Sequence, residues 1–202
     1  MGSLRHGEAR LTQAPDAIQM KDGSKDGGVS GARRTWFAGP LTPLGLTVAA
    51  ICLLLDQASK LWLLFVYDLG SRGRVPVAPF VDFVLYWNTG ISYGLFAQES
   101  ALGRWLLVGF MLAAVVLLWI WLARSEHRLA AVALGLIIGG ALGNAIDRVL
   151  YGAVADFVLI HIDFGTWQFH WYVFNVADAA IVAGVIGLIY ETLFMQSAAK
   201  AP

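Results

Sequence analysis

The stretch Trp105-Leu106-Leu107-Val108-Gly109-Phe110-Met111-Leu112-Ala113-Ala114-Val115-Val116-Leu117-Leu118-Trp119-Ile120-Trp121-Leu122-Ala123 runs without a single charge. A helix rises 1.5 Å per residue, so this run is about 28 Å long, close to the ~30 Å hydrocarbon thickness of a bilayer. It reads as a transmembrane helix. Three neighbours of similar length accompany it, at about 44–67, 129–149 and 175–195. The whole chain of 202 residues is 58% hydrophobic and only 14% charged, against about 25% charged in an ordinary soluble domain. These proportions predict an integral membrane protein. The formal net charge of zero offers nothing to attract nucleic acid. Cys52, the one cysteine, has no intrachain partner for a disulfide.

Outside the four spans the chain divides unevenly. Residues 1–35 are rich in Gly, Ser, Asp, Lys and Arg and lack apolar periodicity, which predicts a disordered polar tail. The tail has no apolar centre to serve as a signal peptide, and Met1-Gly2-Ser3 is also a common vector-derived start. Residues 36–202 form the predicted membrane domain. Arg33 and Arg34 precede the first span, Arg124 and Arg128 lie in the short link between the second and third, and Lys200 follows the fourth. Positive residues favour the cytoplasm, so both termini are expected inside. Tyr67–Arg104 and Leu150–Phe174 then fall on the outer side. Within them Val75–Trp87 and Thr166–Tyr172 have β-type sequence, which predicts a small extracytoplasmic sheet or cap. Trp167, Trp171 and Tyr172 suit the headgroup layer.

Polar groups beside these spans are costly. A carboxylate at a helix centre costs about 3 kcal/mol on insertion scales and less near an interface. In the first span, Asp56 and Lys60 are four residues apart and share a helix face. They are read as an ion pair within the membrane, with direct contact to substrate as the alternative. In the third span, Gly135, Gly139 and Gly143 clear one face for a neighbouring helix, or else line a groove. That span ends Gly143-Asn144-Ala145-Ile146-Asp147-Arg148, where Asn144 can neighbour Asp147 and Arg148. A polar helix terminus explains these residues equally well. The fourth span begins Asn175-Val176-Ala177-Asp178, an N-cap with an acid in the first turn. Asp156 has no capping explanation. It lies in the apolar run Val154–Ile160, where a structural role needs a partner such as Arg148.

Asp156 and Asp178 fall on the same side of the membrane in this topology. Two carboxylates held close together cannot both ionise easily, so they share a proton; one acts as base toward water and the other as acid. The proton belongs to the pair. Other hydrolytic signatures are missing. There is no His-Glu-x-x-His and no Gly-x-Ser-x-Gly, and His6, His127, His161 and His170 are not spaced as metal ligands. No metal and no cofactor is expected. In the first outer loop, Asn88-Thr89-Gly90 favours a turn.

Four pieces in this order resemble the lipoprotein signal peptidases of bacteria, also called signal peptidase II. They are Asp56-Gln57-Ala58-Ser59-Lys60; Asn88-Thr89-Gly90-Ile91-Ser92-Tyr93; Gly140 to Arg148 continuing to Val154-Ala155-Asp156-Phe157; and Phe174-Asn175-Val176-Ala177-Asp178. The resemblance covers roughly Leu41 to Lys200. It implies an all-α integral membrane protein of four transmembrane helices with a small extracytoplasmic β-cradle. The implied activity is that of an aspartic endopeptidase of the bacterial inner membrane, working at its outer face. The implied substrate is a diacylglyceryl prolipoprotein, cut just before the lipidated cysteine. Asp156 and Asp178 take the family's catalytic positions, and Asp56, Lys60, Asn88, Gly90, Asn144, Asp147, Arg148 and Asn175 take its supporting ones. Ser92-Tyr93 departs from the usual Ala-Phe of the loop motif. Membrane lipid is an expected partner, nucleic acid is not, and a monomer is expected because one bundle can use the glycine face internally. The competing class is a small transporter or channel subunit with its carboxylates in an ion path. Depth discriminates the two: a relay distributes polar groups across the membrane, whereas here only Asp56 and Lys60 are expected well inside.

Overall fold

The computed structural model describes residues 36–90, 101–164 and 167–195. Residues 1–35, Ser92, Tyr93 and Thr166 lie outside the described residues, and with them the expectations for the tail and for the end of the loop motif. Four helices are long and apolar enough to cross a membrane: Thr42–Val66, Ala101–Arg124, Arg128–Leu150 and Val176–Phe194. Each lies within a few residues of its predicted span.

The first span is α1 (Thr42–Leu61) followed by one wider turn, Trp62–Val66, closed by Tyr67 N–H donating to Trp62 O at 2.8 Å. Pro43 suits the first turn, where its missing N–H has no helical partner to lose. A short helix α2 (Leu69–Arg72) leads to strands β1 (Val75–Ala78) and β2 (Val81–Asn88). The long helices α3 (Ala101–Arg124) and α4 (Arg128–Leu150) follow, then β3 (Val154–Phe164), β4 (Trp167–His170) and α5 (Val176–Tyr190), which ends in another wide turn at Glu191–Met195.

Helix α4 is the centre of the bundle. Of its most apolar window 61% is buried, against 22–28% in the other three spans. Its glycines explain this. A Cβ at Gly135 or Gly139 would collide with the backbone of α1 at Gly45 or Ala49, and one at Gly140 with Ala177 of α5. The predicted glycine face therefore packs helices rather than lining a groove, and α4 uses both sides of it. Leu122, Ala131, Leu134 and Ile138 fill the remaining core. Leu54, Leu106, Phe110 and Val182 point outward, as lipid-facing side chains do.

The sheet has the order β1-β2-β3-β4, all antiparallel. Its principal strand, β3, corrects the sequence reading, which placed strands only near residues 75–87 and 166–172. Val154, Ala155, Asp156, Phe157 and Leu159 are all buried, so both faces of the strand are covered at its start. Such a strand shows a continuous apolar run instead of alternation, and periodicity alone does not reveal it. Phe157 packs edge-on against Phe83 at 6.2 Å between ring centroids, anchoring the sheet on Leu63 at the end of the first span and Leu69 of α2.

Candidate active site

Strand β3 and helix α5 are joined immediately before the fourth span. Phe157 and Val158 both donate their N–H to Phe174 O, at 3.1 and 2.8 Å, and Phe174 N–H donates back to Val158 O at 3.0 Å. This short clamp brings Asn175, the residue that starts α5, alongside Asp156. Asn175 caps the helix: its Oδ1 accepts from Asp178 N–H at 2.9 Å, and its own N–H donates to Asp178 Oδ2 at 3.3 Å. Two orphan helix donors are thereby satisfied and the Asp178 carboxylate is fixed in the first turn.

The amide of Asn175 also reaches across the site. Its Nδ2 donates to Asp156 Oδ1 at 2.6 Å and to Asn144 Oδ1 at 3.1 Å. Asn144, on α4, donates its own Nδ2 to Asp178 Oδ1 at 2.8 Å. Asn175 thus holds Asp156, Asn144 holds Asp178, and the two asparagines are bonded to each other. Asn88 completes the support of Asp156, donating Nδ2 to Oδ2 at 3.1 Å. In register Asn88 faces Val154 and Tyr86 faces Asp156, so Asn88 and Asp156 are diagonal neighbours on one sheet face. Gly90 N–H donates to Asn88 Oδ1 at 3.1 Å, which sets the orientation of the Asn88 amide.

Beneath this lies a buried charge cluster. Lys60 Nζ sits 2.8 Å from both Asp56 Oδ2 and Asp147 Oδ2, and donates to Asn144 Oδ1 at 3.2 Å. The predicted Asp56–Lys60 pair is present and is larger than expected. Asp56 Oδ1 accepts from Ala177 N–H at 2.9 Å, and Asp147 Oδ2 accepts from Ala155 N–H at 3.2 Å. Asp56 therefore stands level with the first turn of α5. The expectation that Asp56 and Lys60 sit apart, deep in the membrane, is corrected: they join the same polar layer as the aspartate pair. Gln57 was quoted in the sequence but given no role. Its Nε2 bridges Asp56 Oδ2 and Asp147 Oδ1 at 3.1 and 3.0 Å. The signal was available, because Gln57 and Lys60 are three apart on one helix face. The backbone donors Ala155 and Ala177 left no such trace.

Arg148 is buried but is not bonded to Asp156, so it is not the arginine partner that a structural role for Asp156 would need. It donates Nη1 to Asn144 O at 3.2 Å and Nη2 to Gly90 O at 3.1 Å. It joins α4 to the turn after β2, while Asp156 has only neutral amides for hydrogen-bond partners among the described residues. The environment of Asp156 follows from this. Burial, and then the nearby Asp178 charge, push its carboxyl up to about 7; the Asn88 and Asn175 amides and the charge of Lys60 pull the other way without compensating. A carboxyl poised there is able to hold or release a proton near neutrality. Among the described residues no group of three or more His, Cys, Asp or Glu side chains is arranged to hold a metal ion.

Four membrane-length helices with a buried aspartate and a half-buried one in one polar layer describe a polytopic membrane aspartic peptidase. The family model described as "Signal peptidase (SPase) II" matches residues 48–194. The lipoprotein signal peptidase of Nitrobacter hamburgensis is 59% identical over 164 residues, which are 80% of this chain and all of that relative. That of Methylorubrum extorquens is 61% identical over 158 residues, 78% of this chain and 89% of the relative. A bacterial membrane enzyme solved by the in meso method at 2.3 Å superposes with a TM-score of 0.60 at 27% identity, covering 79% of this chain and 92% of that one. The chain belongs to the signal peptidase II family and is a multi-pass membrane aspartic endopeptidase.

Proposed function

We propose that this protein cleaves the signal peptide from diacylglyceryl-modified prolipoproteins, just before the lipidated cysteine, using Asp156 and Asp178 as a proton-sharing pair. The observation that carries the reading is the amide frame around the two carboxylates. Asn175 donates to Asp156, Asn144 donates to Asp178, and no cation bonds directly to either among the described residues. With one proton on the pair, the ionised member takes a proton from water as the water oxygen bonds to the scissile carbonyl carbon. The protonated member gives its proton to the carbonyl oxygen. Collapse breaks the C–N bond: one hydroxyl of the intermediate returns its proton to the ionised member as the carbonyl re-forms, and the departing amine takes the proton of the other member, so one proton remains on the pair. Asp56, Lys60, Asp147 and Gln57 brace the frame from below, and Arg148 fixes the turn at Gly90 from the side.

The body that acts runs from residue 36, as a monomer. It sits in the bacterial inner membrane with both termini in the cytoplasm and the aspartates at the outer face. The arginines of the Arg124–Arg128 link support that orientation, since it lies at the end of the bundle opposite the polar layer. A location at one surface suits a substrate that is itself a lipid-bearing membrane helix. A transporter reading finds no support in a polar layer gathered at one end of the bundle. The test is product analysis by mass spectrometry after incubating purified protein with a diacylglyceryl prolipoprotein and with its unlipidated twin. A single cut before the modified cysteine, confined to the lipidated form, is expected. Cleavage elsewhere, or none, overturns the reading.

A further inference from the structure

We propose that Arg104, outside the catalytic cluster, binds the phosphate of an anionic bilayer phospholipid at the corner between α3 and α4. Arg104 lies in the first turn of α3, on the same side of the bundle as the aspartates. Its side chain is half-buried, lying over Gly152 just past the end of α4. Gly152 has φ of +82°, and a Cβ there would come within 2.9 Å of Arg104 Nη1. The left-handed glycine thus both turns the chain into β3 and leaves room for the guanidinium.

The orphaned state of that guanidinium points to a ligand. Its Nε is shielded from solvent and has no hydrogen-bond acceptor among the described residues. The one contact of its charge among the described residues is the Trp105 ring, at 5.5 Å. Other arginines at this end of the bundle have acceptors: Arg148 bonds two carbonyls through Nη1 and Nη2 although its Nε is likewise unbonded, Arg74 bonds Asp82, and Arg72 Nε donates to Tyr67 O at 2.7 Å. A guanidinium fork without an acceptor among the described residues matches a phosphate, which takes two parallel N–H bonds.

The surroundings select a lipid as the source. Leu102, Leu106 and Leu150 are exposed around the corner, as acyl-chain-facing residues. Trp105 and Tyr151 flank the arginine, and Tyr151 packs on Trp87 at 5.6 Å between centroids. Such rings gather at headgroup level. A bound headgroup here would fix the point where the chain leaves α4 for β3, four residues before Asp156.

Native mass spectrometry of the full chain, released from nanodiscs of phosphatidylglycerol or of phosphatidylcholine with identical acyl chains, tests this. Wild-type protein is expected to retain phosphatidylglycerol several-fold more than phosphatidylcholine. Arg104→Gln is expected to lose that preference while keeping peptidase activity within about twofold in phosphatidylcholine. Equal retention of the two lipids by wild-type protein overturns the proposal without recourse to any variant. So does an undiminished preference in Arg104→Gln. Equal retention of glycerophosphoglycerol, the headgroup without chains, overturns the lipid as the source.

Discussion

Asp82 and Asp156 lie on neighbouring strands of one sheet, 3% and 1% exposed, yet their surroundings differ in kind. Asp82 faces two basic side chains: Arg74 bonds its Oδ2, and His161 Nε2 stands 3.2 Å from the same atom. Burial alone would raise its carboxyl, but Arg74 and then His161 outweigh that and hold it below the ordinary value. Asp156 receives amide N–H groups and another carboxylate instead, and is pushed up to about 7. The sheet therefore carries one carboxylate locked into its charge and one left free to titrate. Partner type and depth both contribute: Asp82 lies beside an arginine side chain that is 43% exposed, whereas Asp156 is packed more deeply and burial is the largest cause of its rise.

The largest expected effect is on the titratable pair. Asp156→Asn and Asp178→Asn keep shape and lose acid–base capacity. Each should lower cleavage of a diacylglyceryl prolipoprotein by about 10³-fold or more, with the protein still folded. The thermal midpoint in detergent should move little, which separates lost chemistry from lost structure. If both variants still cleave, the aspartates are structural and the contrast with Asp82 collapses.

Next in size is the charge beneath the pair. Lys60→Met leaves Asp56 and Asp147 buried beside each other with no cation, and both are fully shielded from solvent. A broken buried pair of this kind costs about 3–5 kcal/mol, read as a fall in the unfolding midpoint. Adding Asp147→Asn should recover part of the stability but not the activity, because Asn144 then lacks the ammonium that orients its amide. Full recovery of activity would show that Lys60 contributes only charge balance.

How much of this was visible in the sequence depends on what kind of signal each feature leaves. The four spans were legible because lipid demands long uncharged runs. Asp156 was legible because a carboxylate in an apolar run is costly, and Asp178 because Asn175 three residues earlier makes a helix start. The Asp56–Lys60 pair follows from helix spacing. Strand β3 was not legible, since a strand covered on both faces does not alternate. The amide partners of Asp156 were not legible for the same reason: once β3 pairs with β2, Asn88 falls diagonal to it, and only register reveals that. The Arg74–Asp82–His161 group was missed because its members come together only when β1, β2 and β3 assemble.

A smaller effect concerns pH. The Asp156 carboxyl is raised from an ordinary 3.8 to about 7. Between those values the folded protein holds a proton that the unfolded chain has released. Its contribution to stability is complete below about pH 4 and is lost as pH rises through 7. If Asp156 supplies the proton that the proposed mechanism uses, activity should fall along the same alkaline limb. The Asn88 amide favours the ionised form, so Asn88→Ala should move the limb upward. A hydrogen bond to a charged group is worth about 1.5 kcal/mol, which corresponds to about 1 pH unit. A limb that stays in place, or moves down, would mean that Asn88 does not act on the proton.

The smallest effect is expected at Asp82, and it completes the comparison. Asp82→Asn removes a charge from Arg74, whose side chain is 43% exposed, and from His161. Solvent screens a pair whose cation is that accessible, so the loss should be about 1 kcal/mol or less in thermal unfolding. Cleavage rate and the alkaline limb should both stay where they are, because Asp82 lies opposite Leu159, three residues along β3 from Asp156. A large drop in activity from Asp82→Asn would show that the two carboxylates are coupled through the strand. A cation-paired aspartate would then be able to tune an amide-held one, and partner type and depth would no longer separate the structural carboxylate from the reactive one.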